Sequence, residues 1–161
     1  MRPLTRFLAF FAAITLPLYA LDQLSKWAVV NRIDFEGGRV VIPGFFDLVH
    51  WHNTGAAFSM LANSNGLFIG ISVVALIVLS TMAWRNALPG AVGQVAWSLL
   101  LAGILGNLTD RLVHGYVVDF LLFDLHVWPA HPWPAFNVAD SCICVATVLF
   151  LWESLRSSPR Q

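Results

Sequence analysis

The sequence predicts an all-α membrane protein with four transmembrane helices, a small extracytoplasmic β-sheet and a second outer loop. It reads as a single integral domain over residues 1–161. Three observations predict this. Hydrophobic residues make up 58% of the chain and charged residues only 11%, against roughly 25% charged in typical soluble domains, and mean hydropathy is +0.71. Four apolar segments, 7–30, 67–84, 91–113 and 136–152, approach the roughly 20 residues that a span needs. Between the first two lies a β-branched and aromatic stretch broken by a Pro-Gly pair. Formal net charge is zero, so there is no basic face for nucleic acid and no acidic solvating tail.

The first segment follows Arg2 and Arg6 and could be a secretory signal peptide ending at Ala20. Leu18 is larger than the small residue wanted three positions before such a cut, and apolar character resumes at Trp27-Ala28-Val29-Val30. An uncleaved anchor is therefore expected. In the first loop, 31–66, Val40-Val41-Ile42 meets Pro43-Gly44 and then Phe45-Phe46-Asp47-Leu48-Val49-His50-Trp51-His52. That pattern predicts two strands around a turn, resting on the bundle outside the hydrocarbon. The second and third spans are joined by a tight turn containing Pro89-Gly90. The second loop, 114–135, carries Trp128-Pro129, His131-Pro132 and Trp133-Pro134; its tryptophans suit the interfacial belt and its prolines forbid a continuous helix. Arg2, Arg6, Arg85, Arg156 and Arg160 flank the spans on one side, against Arg32 and Arg39 on the other. Five against two puts both termini in the cytoplasm and both long loops outside.

Eight polar residues sit in or beside these apolar stretches at the outer side: Asp22, Asn53, Asn107, Asp110, Arg111, Asp119, Asn137 and Asp140. Such groups are costly at membrane depth and usually mark a site. Asp22 and Lys26 share a helix face at i,i+4, which suits either a self-satisfying pair or a functional one. Gly103 and Gly106 permit close helix approach, and Asn107 and Arg111 share a face at the outer end of the third span. A plain structural account makes Arg111 a cation at a helix C-terminus and leaves Asp110 exposed to water. Asn137 fits a helix N-cap, with Asp140 in the first turn where negative charge is favoured. Asp119 lies inside Val117-Val118-Asp119-Phe120-Leu121-Leu122 and needs a partner, for which Asp140 and Arg111 are the candidates.

Two carboxyls in one desolvated site share a proton, so one can activate water while the other donates to a carbonyl. Peptide hydrolysis fits these residues. Other chemistries lack their parts. His50, His52, His126 and His131 come without an HExxH or equivalent ligand set, so interfacial histidines and no metal are expected. There is no G-x-S-x-G elbow. Cys142 and Cys144, two apart on a helix, point to different faces and read as small buried hydrophobes.

Five blocks together resemble the bacterial lipoprotein signal peptidases (signal peptidase II): Asp22-Gln23-Leu24-Ser25-Lys26, Asn53-Thr54-Gly55-Ala56-Ala57-Phe58, Gly106-Asn107-Leu108-Thr109-Asp110-Arg111, Val118-Asp119-Phe120 and Phe136-Asn137-Val138-Ala139-Asp140. Ala102-Gly103 departs from the paired glycines often found there. The resemblance implies an aspartic endopeptidase of the bacterial inner membrane with Asp119 and Asp140 as its catalytic pair. It implies that Asn53, Gly55, Asn107, Arg111 and Asn137 hold substrate or orient the aspartates, with Asp22, Lys26 and Asp110 in support. The implied substrate is a prolipoprotein whose cysteine bears a diacylglyceryl group, cut just before that cysteine. Inhibition by globomycin-type cyclic peptides, contact with membrane lipid, a monomer and no cofactor are also implied. The alternatives are a small proton- or cation-linked transporter subunit and a non-catalytic assembly factor. A conduction path needs polar groups through the whole depth, whereas the inner half here is nearly bare, with only small hydroxyls and Gly70 in the second span.

Overall fold

The computed structural model describes residues 8–55, 61, 63–85, 90–128 and 131–157. Arg2, Arg6, Ala56, Ala57, Phe58, Pro89, Pro129 and Arg160 lie outside the described residues. Four helices are long and apolar enough to cross a membrane. Helix α1 is Leu8–Val30, with a π-helical stretch at Phe11–Thr15; it runs without interruption through Leu18 and Ala20. Helix α2 is Asn65–Trp84, α3 is Gly90–Val113 and α4 is Val138–Ser157. Strands β1 (Gly38–Ile42), β2 (Phe46–Asn53) and β3 (Val117–Phe123) form one antiparallel sheet in that order.

Helix α3 is the axis of the bundle: 67% of its most apolar stretch is buried, against 6% for α2, whose surface is nearly all turned outward. Helices α1, α2 and α4 all pack on it. A helix that is apolar all round and still exposed belongs in lipid. Leu79, Trp97, Leu101 and Ile104 form the core between α2 and α3, where the Trp97 indole donates to the Leu79 carbonyl at 3.0 Å. At the end nearer the sheet, side chains give way to backbone. A Cβ on Gly103 would fall 2.5 Å from the Ala139 carbonyl oxygen, and one on Gly106 would fall 2.6 Å from Asp22 Oδ2. The two glycines therefore let α4 and the polar face of α1 close onto α3.

The expected turn is present between β1 and β2, with Gly44 at φ +71°. The third strand was not expected from the second loop. Its first four residues are all buried, so the run does not alternate and carries no period-2 signal. Val29, Val118 and Phe120 seat the sheet on α1. The far edge of β3 is closed by Phe136, which exchanges backbone hydrogen bonds with Leu121 at 2.8 and 3.1 Å. That bridge brings the start of α4 alongside Asp119. The fourth helix begins two residues later than expected and extends past 152, because Asn137 stands outside it as a cap. One cysteine departs from expectation: Cys142 is buried but Cys144 is exposed, because its face of α4 borders an open cavity.

Candidate active site

Two groups of carboxylates are assembled at the sheet end of the bundle. In the first, Lys26 Nζ lies 2.9 Å from Asp22 Oδ2 and 2.9 Å from Asp110 Oδ2, and donates to Asn107 Oδ1 at 3.1 Å. Three acceptors use all three ammonium protons. Asp22 Oδ1 accepts from the Ala139 backbone N–H at 2.8 Å, one of the free donors at the start of α4. Asp110 Oδ2 accepts from the Val118 N–H at 3.1 Å. The plain structural account that left Asp110 in water does not hold: it is 2% exposed, because β3 returns over the end of α3 and donates to it. Gln23, which the residue-by-residue reading passed over, reaches Asp22, Asp110 and the Gly106 carbonyl at 3.1–3.2 Å. Its signal was available, as an amide in an apolar span.

In the second group, Asp119 Oδ2 accepts from Asn53 Nδ2 at 2.9 Å and its Oδ1 from Asn137 Nδ2 at 2.8 Å. Asp140 Oδ1 accepts from Asn107 Nδ2 at 2.7 Å. Asn137 and Asp140 cap each other: the Asp140 N–H donates to Asn137 Oδ1 at 2.9 Å, and the Asn137 N–H donates to Asp140 Oδ2 at 3.2 Å. This is the reciprocal capping arrangement of helix starts. The cap therefore leaves the Asn137 amide nitrogen free to hold Asp119. Burial first, and then the neighbouring Asp140, push the Asp119 carboxyl up to about 7, against the opposing pull of the Asn53 and Asn137 amides.

Asp119 and Asp140 line one cavity of about 570 Å³, together with Asn53, Gly55, Asn107 and Arg111. Gly55 N–H donates to Asn53 Oδ1 at 2.9 Å, fixing which end of that amide faces Asp119. Arg111 Nη2 donates to the Gly55 carbonyl at 3.1 Å, and its guanidinium lies 4.9 Å from the Phe68 ring centroid. Its Nε is buried without a hydrogen-bond partner among the described residues. All ten residues singled out from the sequence thus come together: three in the ion cluster, six lining the cavity, and Asn137 buried behind Asp119 and Asp140. Phe68, Trp133 and Phe136 also line the wall; Phe68, an aromatic in an apolar segment, carried no distinguishing signal.

Four of the five histidines form two pairs. His50 Nδ1 bonds the Ile33 carbonyl at 2.9 Å, and its Nε2 lies 3.3 Å from His52 Nε2. His52 stacks on Tyr116 at 3.6 Å; burial, then His50, lowers its pKa. His126 and His131 instead meet at Asp124.

The chain is similar to known proteins over almost its whole length. The family profile described as Signal peptidase (SPase) II matches residues 14–156. A Neisseria gonorrhoeae protein named Lipoprotein signal peptidase is 40% identical over 148 residues, 88% of this chain and 87% of that protein. One of the same name from Vibrio cholerae is 40% identical over 164 aligned positions, 96% of this chain and 88% of that protein. Two solved structures, each described as a bacterial membrane enzyme obtained by the in meso method, superpose with TM-scores of 0.83 and 0.80 at 29% and 30% identity. They cover 94% and 92% of this chain, and 93% and 94% of their own. With a profile match across 14–156 and relatives this similar over this much of the chain, it belongs to the signal peptidase II family.

Proposed function

We propose that this protein is an intramembrane aspartic endopeptidase that removes signal peptides from diacylglyceryl-modified prolipoproteins, cutting before the lipidated cysteine. The observation that carries the aspartic assignment is the Asn137 bridge, one side chain holding Asp119 and Asp140 on a common cavity. Asp119, with its carboxyl pushed up to about 7, holds the shared proton and donates it to the scissile carbonyl oxygen. Asp140, at the positive end of α4, takes a proton from the attacking water. The tetrahedral diol then collapses: Asp140 gives its proton to the leaving nitrogen, the C–N bond breaks, and Asp119 takes a proton back from a hydroxyl as the carbonyl re-forms. Arg111 and Asn53 are suited to hold the substrate backbone in line.

The lipid part of the substrate is supported by the cavity wall. Ile143, Cys144 and Val145 of α4 line it, while Val145 and Val148 also face outward, so acyl chains can arrive sideways from the bilayer. The arginine asymmetry supports cytoplasmic termini and an active site toward the extracytoplasmic face of the inner membrane. The test is cleavage of a diacylglyceryl prolipoprotein by detergent-purified wild type, Asp119→Asn and Asp140→Asn. Both variants are expected to lose activity at unchanged folded yield. Near-normal cleavage by either one overturns the catalytic pair.

A further inference from the structure

We propose that Asp124, His126 and His131 form a binding site for one divalent transition-metal ion of the zinc type. The site lies outside the catalytic cavity, on the segment that follows β3. His131 Nδ1 lies 2.6 Å and His126 Nδ1 3.1 Å from Asp124 Oδ1, and the two Nδ1 atoms are 3.5 Å apart. All three potential ligand atoms fall within 4.8 Å of one another. Tetrahedral zinc with bonds of about 2.0–2.1 Å sets its ligand atoms roughly 3.3 Å apart. A slight opening of the Asp124–His131 contact therefore seats the ion.

The donor set is one that zinc and its neighbours favour, two imidazoles and a carboxylate. Each neutral imidazole can carry its proton on the outer Nε2 and turn the Nδ1 lone pair inward, so binding needs no net loss of a proton. The carboxylate leaves a net charge of +1 on the bound centre, exposed to solvent, with room for water as the remaining ligand. The histidine side chains are 62% and 64% exposed, so an ion reaches them freely. His126 holds φ +55°, a left-handed conformation that non-glycine residues seldom adopt; it keeps the ring beside Asp124.

The competing account is a hydrogen-bonded staple with no ion. In that account Asp124 Oδ1 receives both rings and also the His126 backbone N–H at 2.8 Å, which crowds one oxygen with three donors. An ion relieves this by replacing the two ring N–H donors. The other histidine pair, His50 and His52, has two facing nitrogens but no third ligand with them among the described residues, and serves as the control. Occupancy would tie Asp124 to His131 beside the cavity, since Trp133 lines its wall and donates to the Phe123 carbonyl at 2.8 Å.

The experiment is calorimetric titration of the full chain in detergent, freed of any histidine tag, with zinc chloride at neutral pH. One ion per chain is expected with a micromolar Kd, weakened at least about 10-fold by His126→Ala, by His131→Ala and by Asp124→Asn. The double substitution His50→Ala with His52→Ala leaves it unchanged. Both ring substitutions are at exposed positions, and circular dichroism checks that the helices persist. Absence of binding at roughly 1 mM zinc, binding that survives the loop substitutions, or binding lost with His50 and His52 overturns the assignment.

Discussion

Asn107 stands between two pairs of carboxylates, and the pairs differ in what compensates them. On one side, Asp22 and Asp110 share the Lys26 ammonium at 2.9 Å each. On the other, Asp119 and Asp140 receive their hydrogen bonds, among the described residues, from the amides of Asn53, Asn107 and Asn137 and from one backbone N–H. A cation fixed between two carboxylates compensates the charge of both and makes them structural. Neutral amides orient a carboxyl without fixing its charge, so a proton can come and go. The first pair is closed within protein, joining α1, α3, α4 and β3; the second opens on the cavity. The same residue type is therefore a bolt in one place and, in the proposed reaction, an acid–base group at the neighbouring cavity.

The largest effect that separates the pairs is on turnover. Asp140→Asn keeps the shape of the carboxyl and one of its two acceptor contacts, with Asn107 or with the Asn137 N–H, but cannot accept the proton. Cleavage is expected to fall by at least about 10³-fold, with thermal unfolding in detergent within a few degrees of wild type. Asp22→Ala should do the opposite. It leaves Lys26 with one carboxylate fewer and strips the Ala139 N–H of its acceptor, costing about 3–5 kcal/mol of stability. Activity per folded molecule falls less, through the displaced Asn107. Full stability with abolished cleavage in Asp22→Ala would break the distinction and move Asp22 into the catalytic group.

How far the sequence discloses these two roles depends on the range of the signal. Span positions are legible because apolar length is a local property, and the Asp22–Lys26 pair because i,i+4 spacing is. Asn137 is legible as a cap, but its second bond to Asp119 depends on β3 lying beside the start of α4. That strand leaves no periodic trace, as both its faces are covered at Val117-Val118-Asp119-Phe120. Local pattern alone leaves Asp110 in water for the same reason: one of its partners is the Val118 N–H, supplied by the strand that local pattern does not reveal. The residue types of the site are thus readable, while the division into bolt and acid–base pair is tertiary.

Acidity sharpens the comparison further. Asp119 has its carboxyl raised from 3.8 to about 7 by burial and by Asp140. The folded protein therefore holds this proton between those values while the unfolded chain has released it. Stability contributed by Asp119 is present at low pH and is lost as pH rises toward about 7. Activity that needs one proton on the pair falls about tenfold per unit above that value. Measured kcat/KM should show this basic limb, and Asp119→Asn should flatten the slope of stability against pH. A limb of unchanged position when Asp119 is replaced by glutamate, alongside a flat stability slope in wild type, would assign the proton elsewhere.

The smallest expected effect tests whether the ion cluster is only structural. Gln23→Leu keeps the bulk of the side chain and removes one donor group shared among Asp22, Asp110 and the Gly106 carbonyl. Hydrogen bonds between helices in membranes average about 0.6 kcal/mol by double-mutant cycles, and one to a carboxylate is somewhat stronger, so the loss should be about 1 kcal/mol. Lys26 still holds both carboxylates, so Asn107 keeps its orientation and Asp140 its donor. Unfolding temperature should drop by a few degrees while kcat/KM stays within about twofold of wild type. A larger kinetic loss at that small cost in stability would mean that the charge balance of the ion cluster reaches the catalytic pair through Asn107.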